Sequence, residues 1–176
     1  EENLSESGDA SGEVTLTLKA DPGTSPVEIV GTSKAGAEAL RLDEADFAVE
    51  ILNAKGNVSK HWDRYADMPE EVRLNTGAYT MRARDGSAEK AGFDAPFFQG
   101  ESPFTVAGQQ SRQVTVTCKM AGCMAAVVYG GQIGQDFTDF RTEIASGRSN
   151  TVVFGKDEKR PAYFPAGELN IKIYMT

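Results

Sequence analysis

The residue types that usually carry catalysis or bind metals are few in this sequence, and their spacing matches no recognised site. His61 is the only histidine, so no catalytic triad or imidazole-rich metal site can draw on a second one. Asp43, Glu44 and Asp46 form an acidic cluster, but they lack the alternating carboxylates and the glycine of a calcium-binding loop. The glycine-rich run at 130–134 is not followed by the Gly-Lys-Ser/Thr of a phosphate-binding loop. We therefore predict no catalytic residue, no metal site, no cofactor and no enzymatic activity.

The aromatic residues offer a different chemistry, because a flat apolar ring can stack on a sugar ring while polar neighbours fix its orientation. The candidates for contact with such a ligand are Trp62, Tyr65, Phe97 and Phe98. Packing in a hydrophobic core is the alternative for each of them. Phe97 and Phe98 are adjacent, so in an extended chain only one of the two can face the core. These residues thus predict either a carbohydrate-binding surface or part of the core.

Composition and charge narrow the classes of partner. The chain has 176 residues with 40% apolar side chains, and its 18 basic and 26 acidic residues give a net charge of −8. Nucleic acid is excluded as a partner, because binding its phosphates needs a concentrated basic surface. No apolar run approaches the roughly 18 residues of a membrane-spanning helix. Residues 1–12 are polar and acidic, which predicts a flexible N-terminal tether.

Cys118 and Cys123 are the only cysteines. A disulfide requires Cα atoms within about 7 Å, whereas five steps along one continuous strand span roughly 16 Å. A bridge would therefore need a tight reversal at residues 119–122. We favour the interpretation that Cys118 is a small buried hydrophobic residue and that the two thiols are unlinked.

Period-two alternation of apolar and polar residues is the main signal for secondary structure. It is clearest at residues 13–20, and it returns around Phe47, Tyr79, Val114 and Leu169. Turn-forming residues separate these runs, and only residues 33–45 resemble a helix. Short strands at this spacing predict an all-β fold of antiparallel sandwich units, either immunoglobulin-like or transthyretin-like.

An internal repeat divides the chain. The hexapeptide at 46–51, Asp-Phe-Ala-Val-Glu-Ile, matches that at 139–144, Asp-Phe-Arg-Thr-Glu-Ile, at four of six positions. Downstream, residues 74–80 are matched more loosely by residues 164–170. We therefore predict two tandem sandwich units, at 13–120 and 121–176, after the tether at 1–12.

The second copy ends directly after its last matching strand, whereas the first copy continues through two more strands. The second sheet should therefore lack two strands and expose an open edge. The candidate residues of this open-edge strand are Leu169, Ile171 and Ile173. Two explanations remain: the natural chain continues beyond Thr176, or a strand from a neighbouring subunit completes the sheet by strand exchange.

Six segments resemble the sequences of one known family: 46–51, 61–69, 77–80, 91–100, 114–119 and 160–169. The family consists of gut-bacterial surface lipoproteins of unknown function that are grouped as candidate cell-adhesion proteins, with tandem β-sandwiches similar to those of fimbrillins. The resemblance implies secretion and a lipid anchor in the outer membrane, attached just before Glu1. It also implies a chain that continues past Thr176. It supplies no catalytic or binding residues.

We predict a non-catalytic module on the cell surface, with a role in adhesion or as a fimbria-related structural subunit. Its partners would be other surface proteins or glycans, and its only contact with the membrane would be the N-terminal lipid anchor. The alternative function is that of a carbohydrate-binding surface lipoprotein.

Overall fold

The computed structural model describes residues 10–21, 27–28, 43–147 and 150–176. Most of the predicted tether at 1–12 and most of the predicted helix at 33–45 lie outside these ranges. Within them nearly all of the regular secondary structure is β-strand, so the predicted all-β, sandwich-like fold class is confirmed. No helix in the described ranges has the length and apolar character needed to cross a membrane.

The strands are β1 (Ser11–Asp21), β2 (Val27–Glu28), β3 (Ala48–Asn53), β4 (Val58–Trp62), β5 (Val72–Asn75), β6 (Gly77–Asp85), β7 (Phe98–Val106), β8 (Ser111–Met120), β9 (Cys123–Ala126), β10 (Phe140–Ser146), β11 (Asn150–Gly155), β12 (Ala162–Phe164) and β13 (Leu169–Met175). Among the described residues one short α-helix, α1, spans Ile133–Asp136, and 3-10 turns span Glu44–Asp46 and Tyr65–Asp67.

The described residues form two compact units that interleave along the chain. The first unit takes residues 10–20, Asp43–Arg84 and Gln99–Cys118, and the second takes Asp85–Phe98, the short strand β2 and the described part of Lys119–Thr176. The proposal that 13–120 and 121–176 fold as separate domains stays a prediction.

The first unit is built on a seven-stranded sheet in the order β4-β3-β6-β7-β8-β1-β5. Because side chains alternate across a strand, one face of this sheet collects the apolar positions that the sequence predicted. The buried residues of this core include Val14, Leu18, Val49, Ile51, Met81, Ala83, Val114 and Val116.

The second unit contains two three-stranded sheets, in the orders β11-β10-β13 and β12-β9-β2. Its core contains Ala125, Ile144, Val152, Phe154, Ala162 and Phe164. Tyr129 anchors its hydroxyl in this unit, at 2.9 Å from Thr142 Oγ1 and 2.8 Å from the carbonyl oxygen of Phe154.

The two hexapeptides of the repeat occupy the same place in their sheets. β3 lies between β4 and β6, and β10 lies between β11 and β13. The register also agrees, because Glu50 lies opposite Arg82 on β6 and Glu143 lies opposite Lys172 on β13. The repeat therefore relates β3, β4 and β6 to β10, β11 and β13.

Neither cysteine forms a disulfide. Cys118 is fully buried, and its thiol donates to the carbonyl oxygen of Ala83 at 3.4 Å. The thiol of Cys123 lies 3.6 Å from the carbonyl oxygen of Pro165, and partial burial raises its pKa. Both observations agree with the interpretation of unlinked thiols.

Candidate functional site

Strand β13 carries more exposed large hydrophobic residues than any other described strand. Large hydrophobic side chains are exposed at seven described positions, and four of them lie on β13: Ile171, Ile173, Tyr174 and Met175. A cluster of exposed apolar side chains marks a contact surface more reliably than the same residues scattered singly. We therefore place the candidate functional site at β13.

The exposed isoleucines lie on the side of the sheet that faces the core. Ile171 lies opposite Ile144 and Ile173 lies opposite Thr142 on β10, and both of these β10 residues are buried. Ile171 is nevertheless 44% exposed and Ile173 is 59% exposed. Leu169, at the start of β13, is half-buried and packs against the core of the unit. The core thus covers the beginning of β13 but not its remainder.

The backbone of β13 is open on the side away from β10. Asp139 and Thr176 exchange both of their backbone hydrogen bonds, with N–H to O=C distances of 2.8 and 3.2 Å. In an antiparallel ladder such doubly bonded pairs alternate with pairs that bond outward. The N–H and C=O groups of Ile171 and Ile173 therefore point away from β10. In the described residues, β13 pairs with β10 alone.

The corresponding strand of the first unit shows what normally covers these positions. In the register of the repeat, Met81 and Ala83 on β6 correspond to Ile171 and Ile173. Both β6 residues are 0% exposed, and β6 has β7 as its second neighbour. The described residues include no counterpart of β7 beside β13.

The opposite edge of the same sheet does not share this property. β11 is also an edge strand, but its core-facing residues Val152 and Phe154 are buried. Its counterpart in the first unit, β4, is an edge strand as well. Of the two edges of this sheet, as far as the structure describes it, only the β13 edge exposes core-facing apolar residues.

The other face of β13 is polar. The guanidinium carbon of Arg141 lies 4.3 Å from the centre of the Tyr174 ring, and the Tyr174 hydroxyl lies 3.1 Å from Glu143 Oε2. Arg141 also approaches Glu143, at 3.4 Å. Lys172 lies opposite Glu143 in the register, yet within the described ranges it takes part in no salt bridge. Glu143 is contacted instead by Arg141 and by the hydroxyl of Tyr174.

Two of the four predicted sugar-binding aromatics belong to the first unit. Trp62 is half-buried and lies opposite Val49, the position that corresponds to the buried Phe154 in the second unit. The hydroxyl of Tyr65 donates to the carbonyl oxygen of Leu16 on β1 at 2.8 Å. Trp62 therefore sits at the margin of the core, and the polar group of Tyr65 is used within the fold.

The other two aromatics belong to the second unit. Phe98 is 0% exposed, so the prediction that it contacts a ligand is wrong: it is the member of the adjacent pair that faces the core. Phe97 is half-buried, and its carbonyl oxygen accepts a hydrogen bond from the N–H of Ala121 at 2.9 Å. Its role as a ligand contact stays a prediction.

The sole histidine belongs to a charged cluster on the first sheet. Glu50 is buried and accepts hydrogen bonds from Arg82 at 2.6 Å and Arg84 at 3.2 Å, with His61 Nδ1 at 3.5 Å. Burial alone would raise the pKa of Glu50, but the hydrogen bond from Arg82 and the charges of Arg84, Arg82 and His61 outweigh burial and lower it. Every member has a partner, which fits a structural role. The described residues contain no group of His, Cys, Asp and Glu arranged to hold a metal ion.

Sequence reasoning placed the candidate open edge at β13, which stays a prediction, and it did not name two residues of this strand. Met175 extends the apolar alternation of β13 and is exposed, so the pattern alone would have found it. Lys172 could not have been singled out from the pattern, because its significance depends on which residues lie opposite it.

Comparisons with known proteins complete the description. No curated protein matches the chain. A solved structure from Bacteroides thetaiotaomicron, provisionally described as an adhesin, is 15% identical with a TM-score of 0.48, and the match covers 94% of this chain and 62% of that one. A second, from the same organism and provisionally described as polysaccharide-binding, is 10% identical with a TM-score of 0.46, covering 93% of this chain and 71% of that one. Residues 11–176 match the profile of a domain of unknown function, and the chain belongs to this family, DUF4493.

Proposed function

We propose that this chain is a non-catalytic binding module of the cell surface, which takes up an extended strand of a partner at the open edge of β13. The role would be adhesion or the assembly of a fimbria-related structure. The observation that carries the proposal is the exposure of Ile171 and Ile173, at 44% and 59%, beside backbone groups that point away from β10.

An added strand would cover the exposed isoleucine side chains and also bond the outward-pointing backbone groups of β13. Main-chain hydrogen bonds to an added strand supply affinity, and side chains that alternate along that strand supply specificity. Full burial of an isoleucine side chain stabilises by about 1.5–3 kcal/mol, so covering what is exposed of Ile171 and Ile173 would contribute about 1 kcal/mol for each. A single strand could therefore bind with useful affinity at this edge.

The test uses a proline substitution with a matched control. Ile173→Pro removes an outward-pointing N–H, which an edge strand tolerates, but it blocks an added strand. Val153→Pro makes the same change at an exposed residue of β11, whose N–H also points outward in this ladder. The original chain and both variants, labelled with 15N, are titrated with a panel of nine-residue strand-forming peptides.

The expected result is a set of chemical-shift changes confined to β13 and its neighbours, present in the original chain and in Val153→Pro but absent in Ile173→Pro. Circular dichroism of each variant shows that the fold is retained. If no peptide of the panel binds, or if Ile173→Pro binds as well as the original chain, the proposal fails.

The location at the cell surface is part of the same proposal, and it rests on the sequence resemblance to surface lipoproteins. Treatment of intact cells with a protease should remove the protein, and radiolabelled palmitate should be incorporated into it. Protection from the protease in intact cells would contradict a surface location. Carbohydrate binding, the alternative role, stays a prediction that a glycan array would test.

A further inference from the structure

The first unit contains a direct precedent for a strand beside the open edge. On the sheet, β7 is the neighbour of β6. Arg82 of β6 lies 3.8 Å from Glu101 of β7, and the ring of Tyr79 stacks on that of Phe104 with centroids 5.7 Å apart. The two β6 residues are three apart, and the two β7 residues are three apart in the opposite sense, so these strands run antiparallel. An acidic residue followed three positions later by a large apolar one thus completes β6.

The register of the repeat transfers both contacts to β13. Arg82 lies opposite Glu50, as Lys172 lies opposite Glu143. Tyr79 lies opposite Asn53, and Leu169 lies opposite the corresponding Ser146. The positive charge and the apolar residue that contact β7 in the first unit therefore have counterparts on β13.

Lys172 is the residue that lacks the partner found in the precedent. Within the described residues it forms no salt bridge, and it points from the polar face of β13. An opposite charge directly across a strand pair is favourable, and a like charge is unfavourable. Resting on the function proposed above, we infer that the strand accepted at β13 runs antiparallel to it, places a carboxylate opposite Lys172, and carries a large apolar residue three positions later, opposite Leu169.

A second copy of the same strand does not meet this requirement. Residues 169–175 contain Lys172 but no carboxylate, so pairing of β13 with β13 of another copy leaves the lysine without an opposite charge. A lysine on an edge strand is also a common means of discouraging such self-pairing. The occupant is therefore a strand other than a second copy of β13, and it carries the stated pattern.

The chain itself supplies a suitable probe. A synthetic peptide with the sequence of β7, Phe-Gln-Gly-Glu-Ser-Pro-Phe-Thr-Val, contains Glu101 and Phe104 at the required spacing. Two altered peptides carry Glu101→Lys or Phe104→Ala. Their affinities are measured by 15N chemical-shift titration with the original chain and with the exposed, charge-reversed variant Lys172→Glu.

The original chain should bind the unaltered peptide at β13, and it should bind the Glu101→Lys peptide about tenfold more weakly. Replacing a favourable opposite-charge pair across two strands with an unfavourable like-charge pair changes the affinity by about a factor of ten. Lys172→Glu should reverse this preference, and the Phe104→Ala peptide should bind more weakly to both chains. The preference should shrink at about 1 M salt, where the screening length falls to about 3 Å.

The outcomes separate this inference from the function on which it rests. Equal binding of the glutamate and lysine peptides would overturn the inferred pattern while leaving strand acceptance intact. If the β7 peptide does not bind while other peptides of the panel bind at β13, the inferred pattern is likewise overturned and strand acceptance is not. Failure of every peptide would overturn strand acceptance and the inferred pattern together.

Discussion

Two isoleucines on neighbouring strands of the second unit should respond very differently to the same substitution. Ile144 on β10 is 0% exposed and Ile173 on β13 is 59% exposed, although both lie on the core-facing side of the sheet. Replacing a fully buried isoleucine with alanine costs about 2–5 kcal/mol, because transfer free energy is lost and a cavity remains. We therefore expect Ile144→Ala to lower the free energy of unfolding by that amount.

The cost at Ile173 follows from its exposure. About two-fifths of the residue is covered, and full burial of an isoleucine stabilises by about 1.5–3 kcal/mol. Ile173→Ala should therefore cost about 1 kcal/mol or less. Because the substitution is the same at both positions, its effect on the unfolded chain largely cancels in the comparison.

The assay must report on the second unit. Trp62 is the only tryptophan and belongs to the first unit, so its fluorescence reports directly on that unit and not on the second. Native-state amide hydrogen exchange at β10 and β11, over a series of urea concentrations, gives the free energy of unfolding where it is needed. If Ile173→Ala destabilised β10 and β11 as much as Ile144→Ala, the side chain would have to be covered in solution, and the open edge would be refuted.

Three further predictions concern the scaffold. The pKa of Glu50 is lowered from its ordinary 4.5, so the stabilisation that its carboxylate provides is complete above about pH 4.5 and is lost as the pH falls through the lower, folded-state pKa. The urea midpoint of the original chain, followed by Trp62 fluorescence, should therefore approach the midpoint of Glu50→Gln in acid. A difference between the two midpoints that stays constant with pH would contradict this. Tyr65→Phe removes a hydrogen bond to a backbone carbonyl and should cost about 0.5–1.5 kcal/mol in the same assay, whereas an unchanged midpoint would show that the bond is not formed. Tyr129→Phe leaves a buried hydroxyl and a carbonyl without their partner and should cost about 1–3 kcal/mol, measured by hydrogen exchange in the second unit, with a negligible effect counting against this network.

The strands were predictable because alternation along the chain is a local property. The runs around Val14, Val49, Met81 and Val116 each predicted the buried face of a strand, and each of these residues is buried. The correspondence between β6 and β13 was predictable from the repeat, because residues 164–170 match residues 74–80 in order and spacing. A comparison within one sequence thus related these two strands without any knowledge of their neighbours.

The remaining features depend on which strands become neighbours, and local patterns do not carry that information. β5 lies at the far edge of the first sheet beside β1, and no feature of residues 72–75 indicates this pairing. Asp85–Phe98 joins the second unit although it lies within the first in sequence. The burial of Phe98 and the position of Lys172 opposite Glu143 follow from such long-range pairings, so both required the structure.

Amide hydrogen exchange along β13 tests the open edge most directly. In the free chain at low concentration, the N–H groups of Ile171 and Ile173 should exchange rapidly, while those of Asn170 and Lys172, which point toward β10, should be protected. Addition of the β7 peptide should then protect Ile171 and Ile173. Uniform protection of all four N–H groups in the free chain would show that β13 already has a second neighbour, and would contradict the account.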